Sequence, residues 1–117
     1  MKTTTEAVGA LAALAQETRL AIYRLLVEAG PNGLAAGAIA ERLDVAPSSL
    51  SFHLAQLTHA GLIHQRRMSR HLIYAADFAV MNGLITYLTE NCCGGQSCAP
   101  ACQPAKVPAM RARKKSA

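Results

Sequence analysis

The chain is predicted to be mainly helical with one small β-hairpin, an α+β architecture in the order α-α-α-α-β-β-α. Three observations carry that expectation. Apolar residues recur at helical spacing through most of residues 6–60, with breaks at "GPNG" (30–33) and "DVAP" (44–47). The period then shortens to that of strands over "LIHQRRM" and "HLIYAA". It lengthens again after Asp77, up to a cluster of cysteines at Cys92, Cys93, Cys98 and Cys102.

The elements follow in order. Residues 6–15 carry Val8, Leu11 and Leu14 at helical spacing in an alanine-rich context that favours helix. Residues 17–29 repeat the pattern with Ile22, Leu25, Leu26 and Ala29, leaving Arg19, Arg24 and Glu28 on other faces. After the Gly/Pro break a short helix is expected at about 35–43, with Ile39 and Leu43 inward. Pro47 suits the first turn of the next helix, because its missing N–H is an orphan there. That helix, about 47–60, sets Leu50, Leu54 and Leu57 on one side, and Gly61 closes it. Two short strands then flank a Ser69-Arg70 turn. Asp77 is an N-cap candidate for a last helix with Phe78, Met81, Leu84, Ile85 and Leu88 on one face, ending near Asn91.

The composition narrows the class. The chain has 117 residues, room for one compact domain and a tail, and 51% of them are hydrophobic. Only five are Tyr or Phe and none is Trp, so a partner subunit is a reasonable way to complete the core. No apolar run approaches the ~20 residues that span a bilayer, and "MKTTTEAVGA" lacks the layout of a secretory signal. A cytoplasmic location, with reduced thiols, is expected. The net charge of +5 sits in the tail: residues 103–117 hold Lys106, Arg111, Arg113, Lys114 and Lys115 and no acid, while residues 1–102 balance seven basic against seven acidic residues. Within that neutral body, residues 45–76 hold Arg66, Arg67 and Arg70 and no carboxylate. Placed against phosphate, such local charge matters more than the global balance.

A short helix, a break, a longer helix and a basic hairpin form the layout of a winged helix-turn-helix. The second of those helices enters the major groove of double-stranded DNA. Its candidate contacts are Ser48, Ser49, Ser51, His53 and Gln56, and glutamine can pair bidentately with adenine. Arg66, Arg67 and Arg70 of the hairpin are candidates for phosphate or the minor groove. Beyond the cysteines the chain has no nucleophile or acid–base constellation, so it is not expected to be an enzyme. His59, His64 and His71 are expected to be surface residues without ligand duty.

The cysteines admit three uses. A Cys92–Cys93 disulfide would be strained, since adjacent Cα atoms lie ~3.8 Å apart and ordinary bridges span ~4.4–6.8 Å. A Cys-x-x-Cys redox couple is absent. A thiolate site for a soft ion remains. Cys92, Cys93 and Cys98 suit the three-coordinate pyramid of trivalent arsenic or antimony, with Cys102 as a spare, a substitute or a loading ligand. A four-thiolate zinc or cadmium site using all four cysteines is the alternative; against it, the side chains of neighbouring cysteines tend to diverge.

"LAQETRLAIYRLL", "AIAERLDVAPSSLSFHLAQLTHAGLI" and "RRMSRHLIY" together resemble the ArsR/SmtB family of metal-responsive repressors, over residues 7 to 91. The resemblance implies a homodimer joined through the first and last helices, reading a palindromic operator with two copies of the 47–60 helix. Family members commonly carry a basic residue where Phe52 stands. Many sense arsenic through cysteines at the front of the helix-turn-helix, where this chain has "ERLDVAPSS", and zinc-sensing members use Asp and His on the last helix, where this chain has no histidine. "TENCCGG" with a later cysteine resembles instead an arsenic-responsive subgroup whose site lies at the end of the last helix. The expected organisation is a DNA-binding and dimerisation domain at 1–91, a metalloid-binding segment at 92–102 and a basic tail at 103–117.

Overall fold

A computed structural model describes residues 3–95; Cys98, Cys102 and the basic tail lie outside the described residues. The chain divides into two units, at residues 1–87 and from 88 onward. Helix α1 (Thr4–Leu14) opens on a capping box, with Thr3 Oγ1 accepting from the Glu6 N–H at 3.1 Å and Glu6 Oε1 accepting from the Thr3 N–H at 3.2 Å. Helix α2 (Glu17–Ala29) is capped by the Gln16 side chain, which accepts from the Arg19 N–H at 2.8 Å. Then come β1 (Leu34–Ala35), α3 (Ala36–Leu43), α4 (Pro47–His59), β2 (Ile63–Met68), β3 (His71–Ala76) and α5 (Phe78–Thr89). The helix-turn-helix of α3 and α4, followed by a β2–β3 wing, is the expected architecture.

The stops and starts have local causes. Asp44 ends α3 in the left-handed region, at φ 54°. Gly61, at φ 82°, ends α4: its N–H reaches the Thr58 carbonyl and the Leu62 N–H reaches that of Leu57, a closure that needs a residue free to take positive φ. Asp77 starts α5, its Oδ1 accepting from the Val80 N–H at 3.1 Å.

The core gathers Ile22 and Leu26 of α2, Ile39 of α3, Leu50, Leu54 and Leu57 of α4, Leu62, Ile63 and Leu84. Each such side chain, fully buried, contributes about 1.5–3 kcal/mol. α2 lies at the centre, packed against α1, α3, α4 and β3.

Three features depart from expectation. The sheet has three strands in the order β1-β3-β2, because Leu34 and Ala35 pair antiparallel with Tyr74 and Ile73; the short helix accordingly begins at Ala36. The inward face of α1 consists of Ala7, Ala10 and Ala13, while Val8 and Leu11 face outward, since small side chains let the helix lie close to its neighbours. On α5, Leu84 is buried but Phe78 and Ile85 are exposed, so the apolar residues of that helix serve two faces. No helix among the described residues is long and apolar enough to cross a membrane.

Candidate nucleic-acid interface and thiol site

Leu50, Leu54 and Leu57 anchor α4 and thereby choose which of its side chains face outward. Ser48, Ser49, Ser51, Phe52 and Gln56 are exposed. Spacings of three and four residues align Ser48, Ser49, Phe52 and Gln56 along one stripe. No side chain caps the start of α4, which leaves its first N–H groups and the positive end of its dipole open to an anion.

His53 differs from its neighbours on the helix. It is half-buried, with Nδ1 at 3.5 Å from Arg19 Nη1, and Arg19 Nε donates to the Ala13 carbonyl at 2.6 Å. A guanidinium only donates, so this contact uses the lone pair of Nδ1 in a ring protonated at Nε2. The His53 and Phe52 rings form a T-shaped contact, centroids 5.7 Å apart and planes at 65°. A linked series of contacts therefore runs from α1 through α2 to the exposed face of α4. A groove of about 790 Å³ also opens beside this path, lined among others by Ala10, Ala13, Arg19, Gln56, His59 and Val80.

In the wing, the two-residue Ser69-Arg70 turn closes with Ser69 at φ 58°. The three arginines part company there. Arg67 and Arg70 are exposed. Arg66 is half-buried, and its guanidinium donates to the Asn32 carbonyl at 3.0 Å and, more weakly, to that of Pro31 at 3.4 Å. Alternation along β2 points neighbouring residues to opposite faces of the sheet, so Arg66 and Arg67 leave the strand in different surroundings. His59, His64 and His71 are exposed.

In the second unit, Asn91 and Cys93 adopt left-handed backbone, φ 59° and 56°, and Gly94 and Gly95 follow with positive φ. The Gly94 N–H donates to the Asn91 carbonyl at 2.9 Å. In this tight turn the Cys92 and Cys93 thiols converge, the Cys92 S–H donating to the Cys93 sulfur over 3.8 Å. The expectation that neighbouring cysteines diverge fails here: the two sulfurs stand within hydrogen-bonding reach of each other. The donated hydrogen bond stabilises the protonated form of Cys92 and pushes its pKa up, with desolvation and the charge of Cys93 adding in the same direction. Among the described residues no three His, Cys, Asp or Glu side chains are gathered for a metal ion.

Residues 14–66 match the model of a helix-turn-helix domain. The transcriptional activator HlyU of Vibrio cholerae is 33% identical over 92 residues, which cover 79% of this chain and 82% of that protein. An ArsR-like transcriptional regulator from Rhodococcus sp. RHA1 superposes with a TM-score of 0.67 at 31% identity, over 75% of this chain and 80% of that one. The chain belongs to the ArsR/SmtB family of transcriptional regulators. A Halobacterium salinarum protein named, by inference, as an arsenical resistance operon repressor is 47% identical over 60 residues, 51% of this chain and 46% of that protein. As a member of this family the protein is a DNA-binding transcription regulator and not an enzyme.

The sequence places Phe52 off the apolar face of α4 and as a departure from the family, but gives it no role, and it does not announce the Arg19 tether. A helical projection of α4 anchored on Leu50, Leu54 and Leu57 finds Phe52, since it falls between Ser48 and Gln56. Nothing in the sequence announces the carbonyls that hold Arg66.

Proposed function

We propose that this ArsR/SmtB regulator is a homodimeric repressor that leaves its operator when trivalent arsenic or antimony binds Cys92, Cys93 and Cys98, with Cys102 as a spare, a substitute or a loading ligand. The observation that carries the reading is the 3.8 Å separation of the first two sulfurs. Two thiolates about 2.3 Å from one ion at a tetrahedral angle stand about 3.8 Å apart, so a soft centre fits between them with little rearrangement. A pyramidal centre asks the sulfurs to move slightly closer. In chemical terms, arsenous acid exchanges three hydroxyls for three thiolates. Each As–S bond replaces an As–O bond, and the thiol proton leaves with the hydroxyl as water.

Operator recognition is assigned to the exposed side of α4, with Ser48 and Ser49 and the neighbouring Ser51 at the backbone or base edges and Gln56 on adenine. Arg67 and Arg70 meet phosphate; His53 and Arg66, engaged within the protomer, act by holding the reading helix and the wing in shape. Val8 and Leu11 of α1 and Phe78 and Ile85 of α5, all exposed, support a dimer built on those helices. Release needs a coupling free energy of only ~1–3 kcal/mol between thiols and DNA. The reading requires reduced thiols and hence a cytoplasmic protein.

The same sulfur separation suits tetrahedral zinc or cadmium on all four cysteines, which is the second reading. A DNA-binding titration with arsenite, antimonite, zinc and cadmium, thiols kept reduced, separates the two. Release by arsenite and antimonite, lost in Cys92→Ser and Cys93→Ser variants that still bind operator, is the expected result. Release by zinc or cadmium alone would replace the first reading by the second.

A further inference from the structure

We propose that Phe52 reads the 5-methyl group of a thymine in the operator and so sets base preference next to the position read by Gln56. The inference rests on the assignment of α4 as the base-reading helix.

Phe52 is 58% exposed, the most exposed of the large apolar side chains in the described residues. It projects from a helix whose apolar anchors, Leu50, Leu54 and Leu57, are buried, so the core does not account for it. Its place on the helix is central: Ser48 and Ser49 lie one turn before it and Gln56 one turn after. A surface that meets base edges through Ser48, Ser49 and Gln56 must also bring Phe52 to the groove floor.

The ring is also held. His53 packs against it in a T-shaped contact with centroids 5.7 Å apart, Arg19 contacts His53 at 3.5 Å, and the Ala13 carbonyl accepts from Arg19. A supported aromatic loses little conformational freedom on binding, which suits a specificity contact better than a solvated one. The chemistry of the groove then selects the occupant. Phenylalanine offers neither donor nor acceptor, and the apolar group on the major-groove floor is the thymine methyl. The serines beside it are short enough to let the ring approach.

The test starts from operator duplexes selected by the wild-type protein from a random pool. Each thymine of the selected site is replaced in turn by deoxyuracil, which removes only the methyl. Wild-type protein should lose about 3- to 10-fold in affinity at one thymine per half-site. Phe52→Ala should bind the parent duplex more weakly and show no further loss at that thymine, and Phe52→Leu should keep part of the effect. Circular dichroism verifies that both variants are folded, as expected for an exposed position. Deoxyuracil penalties unchanged in Phe52→Ala, or an unchanged affinity for the parent duplex, would overturn the inference while leaving the α4 assignment standing. A wild-type protein that selects no duplex would overturn that assignment, and the inference with it.

Discussion

Arg66 and Arg67 are neighbours of the same chemistry in different surroundings, and paired alanine variants test the separate roles proposed for them. Arg67 is exposed on the wing. If it contacts one phosphate per protomer, Arg67→Ala removes two contacts from a dimer. The slope of log affinity against log salt is about −0.9 per contact for duplex DNA, so it should become shallower by about 1.8. Between 50 and 200 mM salt, a fourfold change, the wild type should therefore lose about 12-fold more affinity than the variant. Arg66→Ala should behave differently. It deletes one good and one long charge-assisted hydrogen bond to the Asn32 and Pro31 carbonyls. At a half-buried site this costs about 1–2 kcal/mol of stability. For a domain of this size that lowers Tm by roughly 4–16 °C. Fluorescence anisotropy with a labelled operator over a salt series, together with thermal denaturation, reads both quantities. The reasoning is refuted if Arg66→Ala flattens the salt slope as much as Arg67→Ala while leaving Tm unchanged.

The raised pKa of Cys92 means that less thiolate is present at a given pH than an ordinary thiol would supply, so alkylation of Cys92 should be slow at neutral pH and accelerate as pH rises. Cys93→Ala removes the acceptor and should shift that rate profile to lower pH, as peptide mapping after timed iodoacetamide treatment would register; a profile that stays put shows the contact to be irrelevant. Gly33 has φ 70°, and a Cβ there would run into the Tyr74 carbonyl oxygen. Gly33→Ala should thus cost about 1–3 kcal/mol from the backbone conformation alone, with the clash in addition, in a denaturant titration. Leu11→Glu charges the outward face of α1 and should give a monomer with weakened operator binding, visible by sedimentation; a variant that remains dimeric removes α1 from the interface.

How much was legible depended on how each signal is written. α2, α4 and α5 could be bounded because long apolar periods coincide with Gly30, Pro47, Gly61 and Asp77, residues whose backbone or capping chemistry marks an end. β1 could not, since two residues carry no period and Leu34–Ala35 is a strand only through pairing with β3. The phase of α1 was hidden for another reason. Alanine does not stand out on a hydropathy pattern, so Val8 and Leu11 drew the eye away from Ala7, Ala10 and Ala13. The candidate DNA contacts were recognisable as residue types, but register decided between Arg66 and Arg67. The thiols were recognisable as a pair, whereas their convergence comes in a turn with left-handed backbone at Asn91 and Cys93. Asn tolerates that conformation well, which is the only hint the sequence offered.

The distribution of apolar residues also favours a second copy. α1 contributes alanines to the inside and larger residues to the outside, which is poor economy for a monomer with few aromatics. Val8 is 56% exposed, Leu11 41%, Phe78 37% and Ile85 49%. Completing the burial of roughly half of each side chain recovers about 1 kcal/mol per residue, from the 1.5–3 kcal/mol of full burial. Four residues on each of two protomers then supply about 8 kcal/mol, before the entropy cost of association is met. That sum is comparable to the entire stability of a small domain. In a dimer built on α1 and α5, as proposed above, stability, association and the spacing of the two α4 helices are linked through the same two helices. On the reading proposed above, a ligand that moves α5 by a small amount changes all three together, and an operator that needs both α4 helices at one separation is the first to register it.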